Sequence, residues 1–397
     1  MEELFILLLV TLKRIRFFKY IFHSIKDFYL IKNSETIFMQ AAISLAETVK
    51  GKTFPNPAVG AVIVANGIIV GQGATNPWGG LHAEKAAIAM AGEKTAGATM
   101  FVTLEPCCHH NKKTPPCTDT IIGAGISEVY VALEDPNPHV AGKGITQLRE
   151  AGIRVHLGLL RDEAMLLNED FIKSIITRNA WVSLKLAQTF DGKISDLNGD
   201  SKWITGEDSR EYVHELRRRH AAVAVGLGTL RADNPQLNVR HKTGYNPARI
   251  IFATDENIPQ STFFAQNSID TRSIVVIRNG DAGTIKKSDN GIEYWYLGNE
   301  PYRDALLLFL KIAYEQHIVS IFIEGGQRVA SEFLHAGLVD RVYLFYGNRI
   351  LGGGREGFQF TRPLAMKNGI FLNEIQFKTF KEDFMVTGKP VYTQIVS

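Results

Sequence analysis

"TLEPCCHHNKKTPPCTD", residues 103–119, gathers all three cysteines of the 397-residue chain, two of its eleven histidines and three prolines into seventeen positions. An odd number of cysteines so tightly clustered is a poor disulfide framework. Thiolates beside imidazole in a large chain instead suit zinc in a reducing compartment. Cys107 and Cys117 supply soft ligands, and a nitrogen ligand stands upstream in "HAE", His82-Ala83-Glu84, at the predicted start of a helix. Such a tripeptide carries little information alone. Its weight comes from the residues downstream: a strand, then Pro-Cys and Pro-Pro-Cys.

That order is the pattern of zinc nucleobase deaminases, except that nine residues separate the cysteines where two are usual. Three protein ligands leave a fourth zinc position in which water is activated near neutral pH, and a carboxylate that is not a ligand then moves protons between water, ring nitrogen and leaving amine. Glu84 is placed for that role. A closed structural zinc site would need a fourth protein ligand, and Cys108, His109 and His110 are available by count. The catalytic reading is adopted because a structural knot leaves Glu84 without a purpose, and Cys108 is then a spare thiol.

Outward from the cluster, the patterns alternate. Ser34 is placed to cap a helix whose apolar positions are Phe38, Ala42, Leu45 and Val49, with Gly51 as its stop. "VGAVIVANGIIVGQG" reads as a hairpin around Asn66-Gly67. Helices are predicted at 82–91, 118–123 and 146–150, and strands at 100–104, 129–133 and 154–157. A helical stretch from Asp162 to about Thr177 precedes a fresh strand at 182–187, so the domain boundary is set near residue 179. Strands at 222–226, 249–253, 273–277, 319–324 and 341–346 then alternate with helices at 207–219, 302–315 and 328–336, while 255–300 is polar and reads as long loops. Both halves are α/β. The division expected is an N-terminal extension over 1–33, a first domain over 34–178 and a second over 179–397.

Composition narrows the function. The net charge of +3 and pI near 8.6 are too mild to imply a nucleic-acid partner, which leaves a small-molecule ligand as the better expectation. The reducing compartment that the clustered cysteines suit is read as the cytoplasm; the apolar run Leu4–Val10 is too short to span a bilayer, and its flanking charges are the reverse of a secretory signal. The alternation of basic and aromatic residues in "KRIRFFKYIF" also fits a helix lying on a membrane surface, against the blander reading of a poorly ordered extension.

In the second half, "AVAVGLGTLRADNP" has Gly226 and Gly228 but Arg231 where a dinucleotide fingerprint needs its third glycine. "IFIEGGQRVASEFL" sets Gly325 and Gly326 between a strand and a helix, where bare amides could receive a phosphate, though a tight turn explains the glycines equally well.

At "PNPAVGAVIV", "HAE", "TLEPCCHHNKKTPPC" and "DPNPHVAGKG" the chain resembles the bifunctional riboflavin-biosynthesis deaminase/reductase family. The likeness continues through "LKLAQTFDGKIS", "SKWITG", "LRRRHAAVAVGLGTLRADNPQLNVR" and "IFIEGGQRVASEFL", from about residue 34 to nearly the end. The resemblance implies a cytidine-deaminase-like three-layer α/β/α domain followed by a dihydrofolate-reductase-like α/β domain, with one zinc per chain and NADPH as cofactors. It implies deamination of a phosphoribosylated diaminopyrimidinone and then reduction of the ribosyl to a ribityl chain.

Carried over by motif position, His82, Cys107 and Cys117 bind zinc and Glu84 is the proton shuttle. Asn56, His109 and a lysine of the 112–113 pair, taken as Lys113, contact the pyrimidine. In the second domain Ala187, Trp203, Thr229, Asp233, Gly326, Gln327 and Arg328 fall on cofactor contacts. Ser201, Arg217, Leu237, Arg240 and Glu324 fall on substrate contacts, with the two arginines suited to a sugar phosphate. Three departures stand out: one extra residue in "HHNKKTPPC", Thr75 where the family often has histidine, and Ala253 where it usually has aspartate. A homo-oligomer is expected, with no nucleic-acid or membrane partner. The rival readings are a deaminase of nucleic-acid bases, for which no basic aromatic path exists, and a zinc-stabilised binding protein without activity.

Overall fold

The computed structural model describes residues 18–109, 115–138, 140–240 and 246–393, with side chains described from Ser34 onward. Contacts sort the chain into two units. The first contains the residues up to Thr48 with Val59–Asn76 and Gly80–Leu167, and the second contains Val49–Ala58, Pro77–Gly79 and Asn168 onward.

In the first unit, helix α1 (Phe18–Val49) is followed by the hairpin β1 (Gly60–Ala65) and β2 (Ile68–Ala74), α2 (Ala83–Ala91), β3 (Thr99–Val102), α3 (Cys117–Gly123), β4 (Glu128–Val131), α4 (Lys143–Glu150), β5 (Arg154–Leu157) and α5 (Arg161–Leu167). The hairpin turns on Asn66 and Gly67, both at positive φ (51° and 75°), as the dipeptide predicts. The sheet runs β2-β1-β3-β4-β5, antiparallel across the first three strands and parallel across β3, β4 and β5.

Glycines decide how closely the helices approach. A Cβ at Gly60 would stand 1.9 Å from the Ala42 carbonyl oxygen of α1, and one at Gly71 or Gly73 would stand 2.3 Å from a carbonyl oxygen of α2. Gly60 pairs with Ala74, whereas Gly73 pairs with Ala61, so the two sets point to opposite faces of the sheet. Helices α1 and α2 therefore cover opposite faces, which makes this unit three layers. Ser34 does not cap α1. No proline or glycine interrupts 18–49, and the helix begins upstream of that serine. Gly51 does end it, with φ of 86°.

The second unit holds α6 (Glu169–Thr177), β6 (Trp181–Gln188), β7 (Lys193–Ser195), α7 (Glu207–Arg218), β8 (Ala222–Gly226), α8 (Leu227–Asp233), β9 (Ala248–Ala253), α9 (Phe263–Gln266), β10 (Ser273–Ile277), β11 (Ile285–Lys287), β12 (Glu293–Tyr296), α10 (Tyr302–Glu315), β13 (Ser320–Glu324), α11 (Gln327–His335), β14 (Arg341–Tyr346), β15 (Arg355–Glu356), β16 (Phe371–Phe380) and β17 (Asp383–Val391). Ten strands form one sheet in the order β11-β12-β10-β9-β8-β13-β6-β14-β17-β16, parallel from β12 through β14. Alternate side chains feed two cores. Ile321 and Ile323 pack with Phe309 of α10 and Phe333 of α11, and Phe322 packs on the other side with Val213 and Leu216 of α7. Truncating the fully buried Phe309 to alanine would cost about 3–5 kcal/mol.

Two further predictions need correction, and one element had no prediction. The helical stretch 162–177 is two helices, broken at Asn168, whose wholly buried amide bonds both backbone groups of Ala58. The polar span 255–300 contains α9, β11 and β12 as well as β10. The hairpin β16–β17 was not foreseen.

Candidate active sites

His82 is the extended residue before α2 (φ −74°, ψ 158°), so its ring leaves the helix start while its carbonyl accepts the Ala86 N–H. Cys117 opens α3 after Pro116, and Cys107 sits on the loop leaving β3, its carbonyl oxygen bonded by the Thr118 N–H at 3.2 Å. His82 Nδ1 lies 3.2 Å from Cys117 Sγ and 3.6 Å from Cys107 Sγ, and all three ligand atoms fall within 4.8 Å of one another. Tetrahedral zinc with bonds of about 2.3 Å to sulfur and 2.05 Å to nitrogen requires N···S near 3.6 Å and S···S near 3.8 Å. The trio fits that ion.

Among the described residues no fourth His, Cys, Asp or Glu joins the set. Cys108 is half-buried outside it, as is His109. Glu84, on the first turn of α2, is 3% exposed. Its burial raises the carboxyl's proton affinity against the opposing pull of His82. The Cys107 thiol is held low, chiefly by the hydrogen bond from Cys117.

Two clasps hold this geometry. Lys85 Nζ donates to the Pro115 carbonyl, tying α2 to the cysteine loop. Glu105, two residues before Cys107 and 3% exposed, accepts the N–H groups of Asp135 (3.2 Å), Gly142 (2.9 Å) and Ile145 (3.1 Å). A Cβ at Gly144 would stand 2.2 Å from the Pro106 carbonyl oxygen. The "DPNPHVAGKG" stretch therefore wraps the backbone that carries Cys107, and Glu105 is a positioning residue the sequence reading missed. Thr75 is buried against the backbone of Val59. Asn56 closes a turn with Thr53 in the 49–58 segment, and Lys113 lies outside the described residues.

In the second unit Arg217, in the last turn of α7, lays its guanidinium fork on the Glu324 carboxylate at the end of β13. Nη2 donates to Oε2 at 2.8 Å, Nε donates to Oε1, and Nη1 donates to the Asn238 carbonyl at 3.0 Å. The pair is 13% and 7% exposed. Lys185 of β6 is the register partner of Glu324. Burial lowers the lysine's proton affinity while Glu324 opposes the fall. Glu324 itself is held low, since Arg217 and Lys185 outweigh its burial. Leu237, buried at φ 53°, shapes the loop that offers Asn238, and the Arg240 N–H donates to His214 Nδ1 at 3.3 Å, leaving its side chain exposed.

Beside this cluster, a cavity of about 520 Å³ opens at the carboxyl ends of β8, β9, β10 and β13, the usual ligand position in parallel sheets. Of the residues expected on the cofactor, Thr229, Gly326, Gln327 and Arg328 line this cavity, and Ala187, Trp203 and Asp233 do not. Gly325 and Gly326 hold φ of 85° and 83°, which turns bare backbone toward the cavity before α11. A Cβ at Gly326 would meet Thr229 Oγ1 at 3.3 Å. Volume and glycine cradle fit a dinucleotide. Trp203 is 58% exposed beneath the Arg210 guanidinium, and Ser201 is half-buried nearby in sequence.

The profile "Cytidine and deoxycytidylate deaminase zinc-binding region" matches residues 32–133 and "RibD C-terminal domain" matches 180–386. The riboflavin biosynthesis protein RibD of Aquifex aeolicus is 42% identical over 326 residues, covering 82% of this chain and 90% of its own. That of Bacillus amyloliquefaciens is 39% identical over 368 residues, covering 90% and 96%. The chain belongs to the RibD family. A RibD-type crystal structure from Thermotoga maritima, described as a diaminohydroxyphosphoribosylaminopyrimidine deaminase/5-amino-6-(5-phosphoribosylamino)uracil reductase, superposes with a TM-score of 0.79 at 37% identity over 91% of this chain and 99% of that one. As a RibD, the chain is a deaminase and a reductase of riboflavin biosynthesis that uses zinc and NADPH, on a cytidine-deaminase-like fold followed by a dihydrofolate-reductase-like one. No helix among the described residues is long and apolar enough to cross a membrane.

Proposed function

We propose that the first unit removes the 2-amino group of 2,5-diamino-6-(5-phosphoribosylamino)pyrimidin-4(3H)-one and that the second reduces the ribosyl of the resulting uracil to a ribityl chain, the activities dividing near residue 179 in a cytoplasmic enzyme. The observation that carries this reading is the three-ligand set with a buried, non-ligating Glu84 beside it. Zinc held by His82, Cys107 and Cys117 supplies the Lewis acidity that makes water a nucleophile at neutral pH. Glu84 accepts that water's proton, passes it to the ring nitrogen beside the amino-bearing carbon, and then protonates the departing amine, which leaves as ammonia. Asn56, His109 and Lys113 hold the pyrimidine.

NADPH held in the cavity beside Thr229 and the Gly326–Arg328 turn would supply the hydride that the anomeric carbon needs. Lys185, a half-buried lysine of lowered proton affinity, gives the proton needed as the sugar ring opens, and Glu324 keeps that cation in place. Arg217 orients Glu324, while the exposed Arg240 takes the sugar phosphate with help from Ser201. Thr229 and the Gly326–Arg328 turn seat the cofactor, and Ala187, Trp203 and Asp233, which lie outside the cavity wall, are the remaining contacts that the family resemblance implies.

We also propose a homo-oligomer paired through β16, the edge of the ten-stranded sheet, where Phe371, Ile375 and Phe377 are at least half exposed. Its solution mass by light scattering tests that. For the activity, purified zinc-loaded protein given the diamino compound and NADPH should release ammonia first and lose NADPH absorbance second. NADPH loss without prior ammonia release would overturn the order.

A further inference from the structure

We propose that Arg278 is the anchor for the 2′-phosphate by which this chain distinguishes NADPH from NADH, an inference that rests on the cavity being the cofactor site. The sheet order is β10-β9-β8-β13-β6, and the cluster of Arg217, Glu324 and Lys185 lies on β13 and β6 or beside them. A dinucleotide whose diphosphate rests on the glycine turn between β13 and α11 has to direct its nicotinamide toward that cluster. Its adenosine end therefore extends the other way, over the ends of β9 and β10. There the cavity wall is formed by Ala253, Thr254 and Arg278.

Three features of that wall favour a phosphate over a hydroxyl. A guanidinium holds a phosphate through forked, charge-assisted hydrogen bonds, and a carboxylate beside it would repel that phosphate. Here the strand-end residue is Ala253, which offers no carboxylate to hold a hydroxyl or repel a phosphate. Arg278 is held rather than loose. Its Cζ stands 4.5 Å from the Tyr302 ring centroid and its Nη2 donates to the Glu300 carbonyl at 3.1 Å. Neither contact neutralises it, and among the described residues it makes no ion pair. The one carboxylate on the cavity wall, Glu332, is already matched by Arg328 at 2.9 Å and by the Tyr302 hydroxyl. A dianionic phosphate meets an uncompensated guanidinium whose ring stacking limits the freedom it loses on binding.

Calorimetric titration of the full chain with NADPH and with NADH, without pyrimidine, tests this without turnover. Wild type should bind NADPH at least about tenfold more tightly. In Arg278→Ala the NADPH dissociation constant should rise about 10- to 100-fold, the loss of a charge-assisted contact, while that for NADH stays within about twofold. Arg278→Lys should fall between. Equal weakening of both nucleotides, or unchanged discrimination with an unchanged thermal midpoint, overturns the assignment. Gly326→Val places a side chain against Thr229 and should abolish binding of both nucleotides. If it binds both as wild type does, the cavity is not the cofactor site and the underlying reading fails with it.

Discussion

Replacing Glu324 with glutamine keeps the side chain's shape and removes its charge from a site where three ionised groups are balanced. Arg217 keeps at most one acceptor of its fork and faces an amide donor in place of the other, and Lys185 loses the carboxylate that opposes its desolvation. With the pair only 13% and 7% exposed, the orphaned guanidinium has little water to turn to. Breaking one partner of a buried pair costs about 3–5 kcal/mol, which in a unit of this size lowers the melting midpoint by roughly 6–20 °C at about 2–4 °C per kcal/mol. Against a domain stability of about 5–15 kcal/mol that loss is a large fraction, so the melting curve also establishes that the variant is folded at the assay temperature. Differential scanning calorimetry reads the midpoint, and NADPH oxidation with already-deaminated substrate reads the activity. The double variant Arg217→Met with Glu324→Gln removes both charges and should regain most of the stability but none of the reductase activity. A single variant that melts within about 1 kcal/mol of wild type would refute the burial argument. Recovery of activity in the double variant would show that the pair is scaffolding only.

The metal site and a buried histidine give two further expectations. Cys117→Ser should lose most of the bound zinc and Cys108→Ser should retain it, read by metal analysis after dialysis; equal loss would mean a closed, four-ligand site. His220 is 7% exposed, with Nδ1 donating to the Leu216 carbonyl at 2.7 Å and Nε2 accepting from Ser183 Oγ at 2.8 Å, and burial lowers its pKa to about 4. Its folded pKa lies below its unfolded value near 6.5, so its contribution is complete above pH 6.5 and is lost as pH falls toward 4. About 2 kcal/mol should disappear between pH 7 and 5. Denaturant titrations of wild type and His220→Gln at both pH values check this: the variant should lack that slope, and parallel slopes would contradict it.

The short-range signals were the readable ones. Asn66-Gly67 gives its own turn, and Pro-Pro-Cys gives the start of α3, because both are decided within a few residues. The glycines before α11 were legible as a site and ambiguous as to purpose until the cavity beside them was visible. Where pairing is long-range, local pattern failed. The β16 strand is exposed along nearly its whole length, so no alternation marks it, and the three- and four-residue strands β11 and β12 are shorter than any reliable period. Ser34 has a capping side chain, yet nothing upstream obliges the helix to start there. Lys185 carried a signal that went unused, a lysine in the middle of the apolar strand "WVSLKLAQ". Glu105 carried none, since its role is defined by three amides 30–40 residues away.

The claim that two chemistries occupy two separable units is met most directly by Glu84→Gln, assayed for both reactions on one zinc-loaded preparation. The amide keeps the size of a side chain that is 3% exposed and outside the ligand trio, but it cannot carry the proton. Ammonia release from the diamino compound should fall by at least about 10²–10⁴, with zinc still near one equivalent. NADPH oxidation with the deaminated uracil should proceed at close to the wild-type rate. Undiminished ammonia release would remove Glu84 from the mechanism, and loss of both reactions in a folded, zinc-loaded protein would contradict the independence of the two units.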